Sequence, residues 1–63
     1  MGSINWGKKT KELRDSMLLT QSELAKILGV SFASVNRWEQ GMHEPTMKAK
    51  RKLMELFKEH LDL

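Results

Sequence analysis

The chain has 63 residues, a length that accommodates one small core. It contains no cysteine, which excludes a disulfide framework and a cysteine-ligated zinc site, and it has no apolar run long enough to span a bilayer. The formal charge of +3 is modestly basic, with cations grouped before residue 15 and again at residues 48–52. On charge alone, a solvated helix face and a surface for a polyanion are equally good interpretations of these groups.

Nothing in the composition divides the chain, so we predict one domain over residues 1–63. Met1, Gly2 and Ser3 are interpreted as a remnant of expression and are assigned no function. The absence of cysteine fits a reducing cytoplasm, and no signal peptide is expected.

The apolar spacing predicts four helices and no strand, and the first helix begins at Asn5 or Trp6 and ends at Met17. One face of this helix is buried, because its members recur at intervals of four, three and four residues. These members are Trp6, Thr10, Leu13 and Met17.

The second helix is predicted over Gln21–Leu28, after a short connection at residues 18–19. Thr20 is placed to cap its start, and Glu23 completes a capping box three residues later. Gly29 ends the helix, since glycine adopts the left-handed conformation without steric cost.

The third helix is predicted over Phe32–Gln40, with Ser31 as its cap and Gly41 at its end. The fourth is predicted over Met47–His60. Its start is marked either by Pro45, whose fixed φ suits a helix entrance, or by Thr46 as the cap. Its apolar stripe consists of Leu53, Leu56, Phe57 and Leu61.

Residues 21–40 have the pattern of two short helices that cross at a tight turn. The closest point between the helices needs a small side chain, which Ala25 supplies, and the turn needs the positive φ that Gly29 tolerates. Val35 and Trp38 are three apart and are predicted to point inward. The outward face then carries Phe32, Ala33, Asn36, Arg37 and Gln40. Arginine and asparagine beside small or apolar groups suit contact with base edges.

Two stretches resemble the phage-repressor and Cro-like helix-turn-helix domains, also called the XRE family. They are Leu-Thr-Gln-Ser-Glu-Leu-Ala-Lys-Ile-Leu-Gly-Val-Ser at residues 19–31 and Ser-Val-Asn-Arg-Trp-Glu-Gln-Gly at residues 34–41. The later proline and apolar helix extend the likeness from about Trp6 to Phe57. The resemblance implies an all-α, lambda-repressor-like bundle of four helices, or five with an extra C-terminal turn. It also implies a bacterial or phage transcriptional regulator, in particular a repressor, that binds specific double-stranded DNA with helix 3 in the major groove.

The resemblance also assigns roles to individual residues. Gln21 matches a glutamine that approaches a DNA phosphate and braces the recognition helix. Arg14 and Glu39 match a partly buried salt bridge, although the residues alone leave Arg14 open to a phosphate contact or a surface position. The positions matched to bases, nearby backbone or phosphate are Phe32, Ala33, Ser34, Arg37, Gln40, Met42 and His43. Ser31, Asn36 and Lys48 complete the predicted DNA-binding set.

Arg37 is the main candidate for polar base readout, most simply of guanine. Relatives often carry Gln, Arg or Ser at the first exposed positions of helix 3, where this chain has Phe32 and Ala33. These two side chains contact a thymine methyl but cannot hydrogen-bond a base. Phe32 is predicted to be exposed at the groove, with burial in the core as the alternative, whereas Trp38 is predicted to be core.

Catalysis, metal binding and cofactors are not predicted. His43 and His60 lie far apart without other ligands at metal-binding spacing, and no nucleophile–base arrangement is present.

The expected partner is a palindromic DNA operator, bound by a weak homodimer that strengthens on DNA, with Leu61 and Leu63 as candidate contacts. The expected location is the cytoplasm, at the nucleoid, with no membrane partner. Two alternatives remain open: a protein-interaction or antitoxin-like module on the same fold, and the DNA-binding fragment of a longer regulator.

Overall fold

Four α-helices build the computed structural model, which describes residues 4–61, and no strand occurs in that range. The helices are α1 (Trp6–Met17), α2 (Gln21–Leu28), α3 (Phe32–Glu39) and α4 (Met47–His60). The all-α prediction is confirmed with four helices, and no fifth helix occurs up to residue 61. The interpretation of residues 1–3 and the contact predicted for Leu63 fall outside the described residues.

Each helix begins with a side chain that accepts a hydrogen bond from a backbone amide three residues later. Thr20 and Ser31 accept from the amides of Glu23 and Ser34 at 3.1 Å. The Glu23 carboxylate accepts from the Thr20 amide at 2.8 Å, which completes the predicted capping box. Asn5 is the cap of α1. Thr46 is the cap of α4, so the second of the two predictions for this helix end is confirmed. The other prediction, that Pro45 is the helix entrance, is wrong. The proline lies one residue before the cap, where its missing amide donor removes no helical bond.

Left-handed residues end the first three helices. Leu18 follows α1 with φ 57°, Gly29 follows α2 with φ 72°, and Gly41 lies two residues after the end of α3 with φ 77°. Gly41 donates to the Trp38 carbonyl at 3.1 Å and Met42 donates to the Arg37 carbonyl at 2.9 Å, the paired bonds of a Schellman ending. This ending leaves Gln40 one residue outside α3, so the predicted helix was one residue too long.

The core lies where the inner faces of all four helices meet. Leu13, Leu24, Val35, Leu53 and Phe57 are fully buried, and Ala25, Trp38 and Ala49 complete the core. Leu28, Leu56 and Leu61 are partly buried against this core. Part of the apolar surface of Leu61, which was predicted to form a dimer contact, is therefore covered by its own chain. The predicted inward face of α3 is therefore confirmed at Val35 and Trp38.

Gly7 of α1 lies directly against the backbone of Trp38 in α3. A Cβ atom at Gly7 would lie 2.2 Å from the Trp38 carbonyl oxygen. That distance is far below van der Waals contact, so only glycine lets α1 approach α3 this closely. This contact therefore determines the distance between α1 and α3.

Candidate nucleic-acid interface

The two faces of α3 differ sharply in exposure. Val35 is fully buried and Trp38 is 4% exposed, whereas Phe32 is 51% exposed. Ala33, Arg37 and Gln40 are also exposed, and Ser34 and Asn36 are partly buried. The helix is therefore fixed to the core along one side and presents mixed apolar, amide and cationic groups along the other.

A bidentate ion pair holds the C-terminal end of α3 to α1. Arg14 donates from Nε to Glu39 Oε2 at 2.6 Å and from Nη2 to Glu39 Oε1 at 2.8 Å. The side chains are only 15% and 7% exposed. Arg14 also donates to the Leu19 carbonyl at 3.1 Å, which ties the connection between α1 and α2 to the same group. The two residues matched to a salt bridge by resemblance are thus brought together.

Gln21 extends this arrangement from α2. Its Nε2 donates to Glu39 Oε1 at 3.0 Å and lies 3.5 Å from Asn36 Oδ1. The side-chain amide is therefore turned towards α3 and braces it. This orientation leaves the amide nitrogen of the side chain occupied inside the protein.

The protonation of this group follows from its surroundings. Burial raises the pKa of Glu39, but hydrogen bonds from Arg14 and Gln21 outweigh it and hold the pKa below its usual value of 4.5. The hydrogen bond to Glu39 raises the pKa of Arg14 above its usual value, against the opposing effect of burial. The pair is therefore ionised at neutral pH.

The N-terminus of α2 presents two backbone amides for an anion. The capping box uses the amides of Thr20 and Glu23, and within residues 4–61 no hydrogen bond is recorded for those of Gln21 and Ser22. These amides and the helix dipole favour a negative group. Hydrogen bonds from the backbone and hydroxyl of Thr20 lower the pKa of Glu23, so this carboxylate is charged beside the same end.

Hydrogen bonds within the protein reduce the number of donors and acceptors that the polar side chains of α3 can present to a ligand. Ser31 and Ser34 share a bond between their hydroxyls at 3.0 Å. Asn36 Oδ1 accepts from Gln40 Nε2 at 3.1 Å, and the Asn36 NH₂ group donates no hydrogen bond within residues 4–61. In contrast, Arg37 forms no ion pair within the described residues.

Comparison with known proteins agrees with this geometry. A sequence model of the helix-turn-helix family, the XRE class, matches residues 11–63. The chain belongs to this helix-turn-helix family. It is 44% identical over 55 residues to a protein of Pyrococcus abyssi named as an HTH-type transcriptional regulatory protein, an alignment covering 87% of this chain. It is 39% identical over 46 residues to the HTH-type transcriptional regulator DicA of Escherichia coli, covering 73% of this chain. No solved structure matches the chain.

Both relatives are longer than this chain. The aligned regions make up 17% of the Pyrococcus abyssi protein and 34% of DicA. This chain therefore matches only a minor part of the length of each relative.

Two predicted contact residues lie apart from α3 of the helix-turn-helix. His43 is exposed in the loop after α3, and Lys48 is exposed in the first turn of α4. Among residues 4–61, neither residue takes part in a recorded ion pair. The same region contains no group of His, Cys, Asp or Glu side chains suited to a metal ion, and no helix long and apolar enough to cross a membrane.

One residue that positions the helix-turn-helix, Gly7, was missed by the sequence reasoning, and the position of another residue, Trp6, was predicted only in part. Gly7 permits the approach of α1 to Trp38, and its signal was a glycine inside an otherwise helical pattern. Trp6 lies against α4, with its ring centroid 6.0 Å from that of Phe57. It was predicted as a member of a buried face, and it is partly buried against the core while its ring also lines a groove beside α4.

Proposed function

We propose that this chain binds a specific double-stranded DNA sequence, with α3 in the major groove, and acts as a transcriptional repressor. The observation that carries the proposal is the contrast between the two faces of α3. Its inner face is buried at Val35 and Trp38, and its end is held by the Arg14–Glu39 ion pair. A rigidly held helix with an open, mixed outer face is what major-groove readout requires. The names of the two relatives support the regulatory role.

Arg37 carries the polar base contact in this proposal. It is the exposed cation of α3, and a guanidinium forms two hydrogen bonds with guanine O6 and N7. Asn36 supplies an amide donor beside it, because its NH₂ group donates no hydrogen bond within residues 4–61. Phe32 and Ala33, at the start of the helix, lie against thymine methyl groups.

Phosphate contacts orient α3 on the duplex. The free amides of Gln21 and Ser22 at the start of α2 bind one phosphate, while the Gln21 side chain keeps its bond to Glu39. His43 and Lys48, together with Gln40, contact the backbone on the other side of α3. The resemblance assigned Gln21 both a bracing and a phosphate role, and here the two roles fall to different atoms of the residue.

Two copies bind adjacent half-sites about one helical turn apart on a palindromic operator. A protein surface this small makes few base contacts, so high specificity requires two copies. Sedimentation equilibrium with and without DNA tests this step. A strict monomer that saturates a single half-site would contradict it.

Selection from random duplex DNA, at low and moderate salt, tests the proposal as a whole. We expect enrichment of a palindromic sequence, and affinity that falls with salt by a log–log slope of about −0.9 per phosphate contacted. Binding that is salt-sensitive but enriches no sequence would reject specific recognition. Absence of binding at both salt concentrations would reject DNA as the ligand.

Replacing Arg37 with alanine should cost about 1–3 kcal/mol at the selected site and relax base preference at one position. The matched substitution is Lys48→Ala, which should weaken all sequences alike and reduce the salt slope by about 1. Titration of both variants against the selected site and its single-base variants measures the difference. If Arg37→Ala weakened every sequence equally, Arg37 would be a phosphate contact instead.

A second candidate function is protein recognition by the same face of α3. The 51% exposure of Phe32, beside Ala33, favours it, because an exposed aromatic residue also suits an apolar interface. Salt separates the two functions, since an apolar interface lacks the steep decline of phosphate contacts.

A further inference from the structure

An apolar groove lies between α4 and the start of α1, away from α3. We call it the α1–α4 groove and define it by Trp6, Met47, Lys50, Arg51, Met54 and Lys58, with a volume of about 490 Å³. None of these residues belongs to the proposed DNA interface. The groove follows α4 from Met47 to Lys58, a length of about 16 Å at 1.5 Å per residue.

Two large apolar side chains that line this groove are exposed. Met47 is 65% exposed, and Ile4, which also lines the groove, is 39% exposed. They are two of the six large apolar residues that are exposed between residues 4 and 61. Contiguous exposed apolar surface of this kind marks an interaction site, and methionine adapts to varied partners.

The border of the groove is cationic. Lys50, Arg51 and Lys58 line it, against the single carboxylate of Glu55. Lys50 is already engaged, because its Nζ lies 2.7 Å from Glu44 and 5.1 Å from the centre of the Trp6 ring. Arg51 and Lys58 are exposed, and no ion pair involving either is recorded in residues 4–61. The groove thus offers an apolar floor with two available cations at its edge.

We propose that the α1–α4 groove binds an acidic amphipathic helix of another protein. Apolar side chains of that helix pack on Trp6 and Met54, and its flanking carboxylates face Arg51 and Lys58. A groove of this length accommodates about three helical turns. The charge complementarity distinguishes this partner from a second copy of the basic chain.

NMR titration of the isotope-labelled 63-residue chain tests the proposal. The probe is the synthetic peptide Asp-Leu-Glu-Asp-Leu-Phe-Glu-Glu-Leu-Leu-Asp-Glu, whose apolar residues follow a helical period. We expect saturable shifts at the Trp6 indole and along residues 47–58, with the resonances of α3 unchanged. The peptide with serine at every apolar position should not bind.

Arg51→Glu and Lys52→Glu form a matched pair, because both residues are exposed neighbours on α4 and only Arg51 lines the groove. Reversal of one exposed charge near a partner changes affinity by about fivefold. Arg51→Glu should therefore lower the affinity for the peptide by about that factor. Lys52→Glu should change it by less than about twofold, since its charge lies on another face of α4.

Each of four results of the peptide experiments would overturn the proposal. They are equal weakening by Arg51→Glu and Lys52→Glu, binding of the serine peptide, absence of binding, and displacement of the peptide by duplex DNA. Groove shifts that depend on protein concentration without peptide would also overturn it, because the occupant would then be a second copy.

Discussion

Gly7→Ala should lower the free energy of unfolding by about 3 kcal/mol, at the upper end of the usual cost of overpacking. The added methyl group would lie 2.2 Å from the Trp38 carbonyl oxygen. That oxygen cannot move aside freely, because it accepts the Gly41 amide at the end of α3. The substitution therefore forces α1 and α3 apart and strains the end of the proposed recognition helix.

The direction of the predicted change in stability at Gly7 distinguishes it from the change expected at an ordinary helix position. At an unconstrained helix position, alanine is more stable than glycine by about 1 kcal/mol. Lys11 provides the matched position, since it is exposed within the same helix. We expect Lys11→Ala to be more stable than Lys11→Gly, and Gly7→Ala to be less stable than the unchanged chain.

Thermal and urea denaturation followed by circular dichroism measure both comparisons. A loss of about 3 kcal/mol lowers the melting temperature of a chain this small by more than about 10 °C. An unchanged or increased stability of Gly7→Ala would show that α1 and α3 do not approach each other as closely as the structure has them.

The helix ends were predictable because they depend on neighbours in the sequence. Thr20 and Glu23 are three residues apart, so their capping box needs no tertiary information. The end of α2 at Gly29 was predictable for the same reason, because glycine adopts the left-handed conformation without steric cost wherever it occurs. Pro45 was harder, because a proline is compatible with positions just before the cap and just after it.

Features set by packing between helices were not predictable from local patterns. Nothing near Gly7 in the sequence indicates that a carbonyl from residue 38 lies against it. The α1–α4 groove is similar, because it depends on the depth at which Trp6 lies beside α4. A helical period shows that Trp6 faces inward but not how much of its ring stays exposed.

The Arg14–Glu39 pair came from family resemblance, since the two residues are 25 positions apart and no spacing links them. The orientation of the Gln21 side-chain amide towards Glu39 was also not predictable from sequence spacing. A glutamine at the start of a helix is compatible with both a phosphate contact and an internal bond. The orientation of its side chain depends on the charge that α3 brings to it.

Removing one partner of the Arg14–Glu39 pair should cost about 3 kcal/mol, because it leaves a largely buried charge without its counterion. We expect this loss for Arg14→Met, where the Glu39 carboxylate would keep only the Gln21 amide. The double variant Arg14→Met/Glu39→Gln should recover to within about 1 kcal/mol of the unchanged chain, since it buries no unpaired charge. Urea denaturation of the unchanged chain, both single variants and the double variant measures the coupling.

The pH dependence gives an independent test of the same pair. Because the folded-state pKa of Glu39 lies below 4.5, its contribution is complete above pH 4.5 and is lost as pH falls through the folded value. The stability difference between the unchanged chain and Glu39→Gln should therefore be constant near neutral pH and shrink below pH 4.5. Glu12→Gln supplies the control, because the contact between Lys9 and Glu12 at 3.3 Å is only partly buried and should contribute little at any pH. A difference that stayed constant to low pH would mean that Glu39 stabilises the fold through packing, and the ionic brace on α3 would have to be abandoned.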